Sequence, residues 1–311
     1  MSPAGPLPYV KLERVTRVAA LGVRFFDPVR QRVVSDLVVH AYWPGSTRRP
    51  QPLHAGPSGI FALHSTGPEW IDLEATAGTD AFWGHLPAPR NVLLAVRDPA
   101  GRILPFTLPA PVPPPGTGSG QLFTPDCLLA SPASLPWAID AVPLFAAPAG
   151  VAPEGMAVVR ADLWNLPADR PAAGAVLAVS FDGRGVGWGI ADARGSVVAV
   201  VPYPEPVDFT PGSPGAGESP WSQTWELEIA VAVQANLAAW APLPGASAAS
   251  QPSLDLCAAW GQLQHPSATV WASRSPDQTM TTAVLRANAD LILSTLVDGN
   301  PSSRLLLTPA A

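Results

Sequence analysis

At 311 residues the chain is long enough for two domains, and its 39 prolines and 26 glycines argue against long helices. Charged residues make up only 14% against 47% hydrophobic, with 11 tryptophans, which excludes a solvated, disordered chain. A net charge of −6, with Lys11 as the single lysine, leaves no basic footprint for nucleic acid.

The opening Met-Ser-Pro-Ala-Gly-Pro-Leu-Pro has no basic stretch leading into an apolar one, so no signal peptide is expected and cytoplasmic synthesis is the default. No membrane insertion is expected either. The longest weakly polar stretch, Cys127–Pro153, carries Asp140 and internal prolines that would break a spanning helix. Cys127 and Cys257 lie 130 residues apart, which is neither a disulfide framework nor a metal-ligand spacing, and both are expected to be buried thiols.

From Val15 onward the apolar residues come in short runs bounded by Pro, Gly, Asp and Asn, the pattern of strands. Gly22–Phe26, Leu37–Tyr42, Ile60–His64, Val92–Asp98 and Ile103–Leu108 are predicted strands, the last two joined by a tight Asp98-Pro-Ala-Gly101 turn. Pro109 to Gly120 then reads as a linker, polyproline followed by glycines, and Leu122–Phe145 as an irregular apolar arm. A second block offers Ala157–Trp164, Ala175–Phe181, Gly185–Ala191, Ser196–Pro202 and Trp225–Val233; in the last, large apolar residues alternate with Glu226 and Glu228. After a spacer at Leu243–Ser253 the tail predicts strands at Thr269–Ala272, Val284–Leu296 and Arg304–Leu307, with a single helix as the alternative for the middle one. The expected organisation is 1–110, a first β-sandwich; 111–154, linker and arm; 155–242, a second sandwich; and 243–311, a spacer with a strand-rich C-terminal segment.

An internal repeat supports two modules. Ala19–Ala41 and Ala157–Val179 align without a gap at an offset of 138, matching Phe26 with Trp164, Asp27 with Asn165 and Arg32 with Arg170. Ser58–Leu63 then matches Arg194–Ala199 at an offset of 136. The pattern of strand, Asp-rich turn, strand, then Gly and an apolar strand resembles the transthyretin-like or carboxypeptidase-regulatory-like sandwiches over about 15–110 and 155–235. That resemblance implies an all-β chain of two tandem immunoglobulin-like modules. Met156–Trp164, Ala191-Asp-Ala-Arg-Gly195 and Pro202–Pro214 further resemble an uncharacterised group of proteins found with the phage-tail-like contractile injection systems of bacteria. This implies a structural or adaptor subunit, synthesised in the cytoplasm and assembled with sheath, cap or baseplate components into a particle that can be released.

The common sets of catalytic groups are not found. Lys11 follows no glycine-rich loop, and Gly183-Arg-Gly-Val-Gly-Trp-Gly189 has its glycines on every second residue, where a neighbouring backbone or the Trp188 ring can pack. Ser119 lies in the linker without the Gly-x-Ser-x-Gly turn of a hydrolase. The five histidines show no ligand pair in sequence, although His40 and His64 can meet across strands, and Glu69, Asp72, Glu74 and Asp80 lack the loop pattern of a calcium site. No cofactor is therefore expected and the reading is non-enzymatic. Trp43, Trp70, Trp83, Trp221, Trp240 and Trp260 border loops and suit either a carbohydrate platform, as in a surface-adhesion protein, or a protein interface, the latter preferred. The proline-rich apolar segments Leu122–Phe145 and Pro202–Trp225 are read as docking arms, anchored by Phe123, Trp137, Phe145, Tyr203, Phe209 and Trp221. The alternative is that they cover the edges of their own sandwiches.

Overall fold

The computed structural model describes residues 19, 21–43, 49–64, 90–112, 122–129, 140–204, 223–234, 239–241 and 253–310. The fold is mostly β in three sheets, with 54% of the described residues in strands and 6% helical. The first part of the chain forms β1 (Leu21–Asp27), β2 (Arg32–Val33), β3 (Val38–Tyr42), β4 (Gln51–Ala55), β5 (Ile60–Leu63), β6 (Arg90–Arg97), β7 (Phe106–Val112), a one-turn helix α1 (Asp126–Leu129) and β8 (Val142–Pro143). The second part forms β9 (Met156–Asn165), β10 (Arg170–Pro171), β11 (Val176–Phe181), β12 (Arg184–Ile190), β13 (Ser196–Pro202) and β14 (Thr224–Ala232). After these come β15 (Trp240–Ala241), β16 (Ser253–Asp255), α2 (Leu256–Gly261), β17 (Thr269–Arg274), β18 (Asp277–Thr279) and β19 (Thr282–Arg286). The chain ends with β20 (Leu291–Leu293), β21 (Leu296–Val297), β22 (Asn300–Pro301) and β23 (Leu305–Thr308). The stretch read as strand rather than helix after Val284 is thus strand, interrupted by a turn at Asn288, whose φ of 56° ends the run.

The offset of 138 survives in three dimensions. β1 pairs β2 at Phe26↔Val33, and β9 pairs β10 at Trp164↔Pro171. Gln31 and Asp169 both adopt positive φ, 49° and 46°, at the turn between these strands. The buried Asp27 accepts a hydrogen bond from Arg30 N through Oδ1, and the buried Asn165 accepts one from Ala168 N in the same way. Both are side-chain turns that satisfy local amides. Gly59 and Gly195, at φ of 73° and 85°, close the matching turns before β5 and β13, where only glycine adopts the backbone without strain.

Each module buries the inward residues of alternating strands. In the first, Leu21, Val23 and Phe25 of β1 point inward, and the Phe25 ring meets those of Phe61 and Phe106 edge-on at centroid distances of 5.3 and 6.3 Å. In the second, the nine-stranded sheet built around β9 and the four-stranded sheet β12-β11-β14-β19 face each other across a shared core that includes Val159, Leu177, Val197, Leu227 and Leu305.

The path of the chain refines the expected organisation at three places. The linker does not begin at Pro109, because β7 runs on to Val112; Pro109 and Pro111 fall on outward-facing positions, where a missing N–H costs the ladder nothing. The two described ends of the arm, 122–129 and 140–145, lie on the first module. Phe123 N donates to the Gly22 carbonyl at 2.8 Å, and β8 lies parallel to β1 at Phe25↔Val142. The strand-rich C-terminal segment, described from Ser253 on, divides between the modules. β16 pairs parallel with β7 at Leu254↔Phe106 and returns to the first module, while β17 to β23 complete the second.

The cysteines form a disulfide, Cys127–Cys257, joining α1 to α2, which corrects the expectation of free thiols. Sequence spacing could not show it, because the return of Trp240–Gly261 to the first module creates the proximity. The bond closes a loop of 130 residues that contains most of the second module. In the chain-entropy picture such a loop stabilises the fold by about 5 kcal/mol, so reduction is expected to lower the urea midpoint of unfolding markedly.

The alternating glycines of β12 behave as structural elements. A methyl at Gly187 would stand 3.0 Å from the Val200 carbonyl oxygen, one at Gly189 would collide with the Val198 carbonyl, and Gly185 lies against the Trp188 ring. Gly189→Ala is expected to lower stability by about 1–3 kcal/mol through overpacking against β13. Gly261→Ala, with open space around it at the end of α2, is expected to be neutral or slightly stabilising in the same denaturant titration.

Candidate functional site

The polar groups that converge most closely lie where the two modules meet. The connection 146–153 runs between them and is gripped from both sides. Arg160 of β9 donates to the Pro148 carbonyl at 2.6 Å and to the Gly150 carbonyl at 3.4 Å, and pairs with Asp290. From the first module Arg30, itself paired with Asp27, reaches the Val151 carbonyl at 3.5 Å, and Ala147 N donates to the Arg102 carbonyl. Val158, Val198 and Val200 form a small apolar cluster with Val29 and Ala146 beneath this connection.

Arg102 carries the densest set of contacts. Its guanidinium donates to Asp98 through Nε at 2.8 Å and Nη2 at 2.9 Å, and to Asp36 at 2.7 Å. Asp98 also accepts from the backbone N–H groups of Ala100 and Arg102, so its carboxylate organises the β6–β7 turn. The side chain of Asp98 is fully buried. The Arg102 hydrogen bonds outweigh that burial and hold the carboxyl well below the ordinary 3.8, at about 2, while the two carboxylates raise the guanidinium further above its usual value. These groups are locked in their charged forms. The space beside them, lined by Asp27, Arg30, Arg102, Phe145, Gly150 and Val200, measures about 20 Å³, room for a single water rather than a substrate.

The residues singled out from the sequence are not gathered here. Phe123 and Phe145 are 6% and 4% exposed, the latter with its ring centroid 5.2 Å from that of Trp260, so neither serves as an external anchor. Large aromatics in proline-rich segments fill a core as readily as an interface, and their own module is the nearer partner. Tyr203 is half-buried, its ring 5.5 Å from Trp225 on the second core. Trp137, Phe209 and Trp221 lie outside the described residues, as do Trp70, Trp83, Ser119 and the carboxylates Glu69, Asp72, Glu74 and Asp80.

Trp260, expected at a loop, is 1% exposed in α2, and Trp43 and Trp240 are partly buried against the first core. His40 sits in β3 between Pro52 and Ala95, and burial, then Arg97 and His54, lowers its pKa. His64 follows β5, two strands away in the sheet, and the two histidines do not form a pair. Among the described residues no group of three or more His, Cys, Asp or Glu could hold a metal ion. No helix is long and apolar enough to cross a membrane among them. The Asp98–Arg102 pair was missed, although an Asp opening a tight turn with an Arg four residues on is visible in the sequence.

Comparison with protein families, with curated proteins and with solved structures finds no match.

The ionised Asp98 contributes stability that is complete above the ordinary carboxyl pKa of 3.8 and is lost as pH falls toward about 2. Asp98→Asn is expected to cost about 2 kcal/mol at neutral pH and to flatten the stability profile across that acid window. Thermal unfolding of both proteins from neutral to acid pH measures this; identical slopes would refute the assignment.

Proposed function

We propose that this protein is a non-enzymatic structural or adaptor subunit of a phage-tail-like contractile injection particle, acting through protein–protein contacts. In this reading its halves are two tandem immunoglobulin-like, transthyretin-like sandwiches, and its partners are sheath, cap or baseplate subunits. The observation that carries it is the placement of exposed apolar side chains. Of the six large hydrophobics exposed among the described residues, four, Val284, Ile292, Leu296 and Val297, stand on three successive strands of the second module. Ile292 is 71% exposed. β19 belongs to the four-stranded sheet and β20 and β21 to the nine-stranded one, and exposed apolar groups carried by successive strands of one module suit contact with another protein. The resemblance of Met156–Trp164 and Pro202–Pro214 to the injection-system group supplies the kind of assembly. The disulfide fits a chain whose final location is oxidising, as that of a released particle is.

Tagged protein expressed alongside its particle is expected to sediment with sheath and tube subunits and to remain with them in moderate salt. Absence from the particle fraction at every stage of assembly would sink this reading.

A further inference from the structure

The two modules differ at one strand edge. Val38 of β3 faces Arg97 of β6, and Val176 of β11 faces Ala232 of β14, so β6 and β14 correspond at an offset of 135 residues. On that alignment Leu93 matches Glu228 and Asn91 matches Glu226. Their partners on the next strand are Pro109 and Pro111 of β7 in the first module, and Thr282 and Val284 of β19 in the second.

Alternate residues of an antiparallel strand turn their main-chain groups toward the partner and away from it. Ile229 N donates to the Thr281 carbonyl and Ala287 N to the Gln223 carbonyl, which sets the odd-numbered residues of β19 toward β14. Thr282, Val284 and Arg286 therefore aim their N–H and C=O groups out of the sheet. In the first module the matching outward positions are prolines, which lack the donor that a further strand needs. β19 has no such block. It is the end strand of its sheet among the described residues, and Val284 is 56% exposed.

We propose that β19 is a docking edge for a second copy of this chain, pairing antiparallel with the partner's β19 about a two-fold axis at Val284. The edge is complementary to itself in that register. Val284 meets the partner's Val284, and Thr282 meets the partner's Arg286. Glu228 lies beside Thr282 on the same exposed face, one strand further in, so the partner's Arg286 extends toward a carboxylate. Arg286, Glu226 and Glu228 have no ion-pair partner among the described residues. Pairing joins two four-stranded sheets into one and satisfies the outward main-chain groups of Thr282 and Val284 and the N–H of Arg286, while the Arg286 carbonyl, which accepts from Ala289 N at 3.3 Å, keeps a second lone pair for the partner's Thr282 N–H. The inference rests on strand geometry and does not depend on the function proposed above.

Sedimentation equilibrium of the full chain, from low micromolar to several hundred micromolar, is expected to show a reversible dimer. Val284→Pro, which places at this edge the residue found at the matching position 111, is expected to keep its circular dichroism and to stay monomeric. Arg286→Glu is expected to weaken the dimer about tenfold or more, and the double variant Glu228→Arg/Arg286→Glu to recover it. A wild-type chain that stays monomeric throughout overturns the proposal and leaves the edge to a strand of a different protein. A folded Val284→Pro protein that dimerises as tightly as the wild type overturns it as well. If that variant does not fold, the charge pair decides: unchanged affinity in Arg286→Glu refutes the edge, and loss with recovery in the double variant supports it.

Discussion

Each module is organised by a first strand hydrogen-bonded along both of its edges. β1 holds β5 and β2 on one side, and on the other it receives the Phe123 N–H and then β8 in parallel. β9 repeats this with β13 and β10 on one side and β20 and β23 in parallel on the other. The correspondence extends to position. Gly22 is met by Phe123 as Arg160 is met by Ile292, and Phe25 by Val142 as Leu163 is met by Leu305. A parallel neighbour cannot arrive through a tight turn, so the chain must travel away and come back to complete the strand. That requirement explains why the described ends of the irregular, proline-rich segment Leu122–Phe145 lie buried against β1.

The same requirement binds the modules together. The connection from β14 leaves the second module, adds β15, β16 and α2 to the first, and returns as β17. α2 buries Leu256, Ala259 and Trp260, and Gln262 beyond it donates to the Gly174 carbonyl at 2.6 Å, a buried hydrogen bond across the boundary. Val176, Ile190 and Ala232 of the second module's strands likewise join the first core. With the disulfide at α2 and the arginine grip on 146–153, the two halves share too many buried contacts to move as beads on a string.

How much of this the residues disclosed follows from the range of the interactions. Strands and tight turns are set by neighbours a few positions apart, and the alternation in Trp225–Val233 or the Asp98–Gly101 turn could be read directly. The repeat was legible for the same reason, since Asp27 and Asn165 or Gly59 and Gly195 answer local backbone demands. What escaped is what depends on return. Cys127 with Cys257, Leu254 with Phe106, and the burial of Phe123 and Phe145 all join positions whose nearness comes from topology alone. Those aromatics also show the limit of reading an interface from composition. The residue types that anchor a partner are the ones that fill a core, and only the path of the chain separates the two uses.

A duplicated module within one chain carries its own internal control. Positions that agree at the constant offset, such as Gln31 with Asp169 in positive φ or Val34 with Ala172 donating back to the first strand, mark what any copy must satisfy to fold. Positions that differ are free of that demand. The first copy has prolines along β7 and receives β16 as an added strand, so its edge is blocked in one half and covered in the other. Among the described residues the second copy has neither at β19, and it also exposes Ile292, Leu296 and Val297 on the strands that follow. Sequence that closes an edge in one copy and leaves it open in the other separates their roles. A strand edge closed by the chain's own prolines and a returning strand has no donors left to offer, whereas an edge whose N–H and C=O groups point outward keeps the means of pairing.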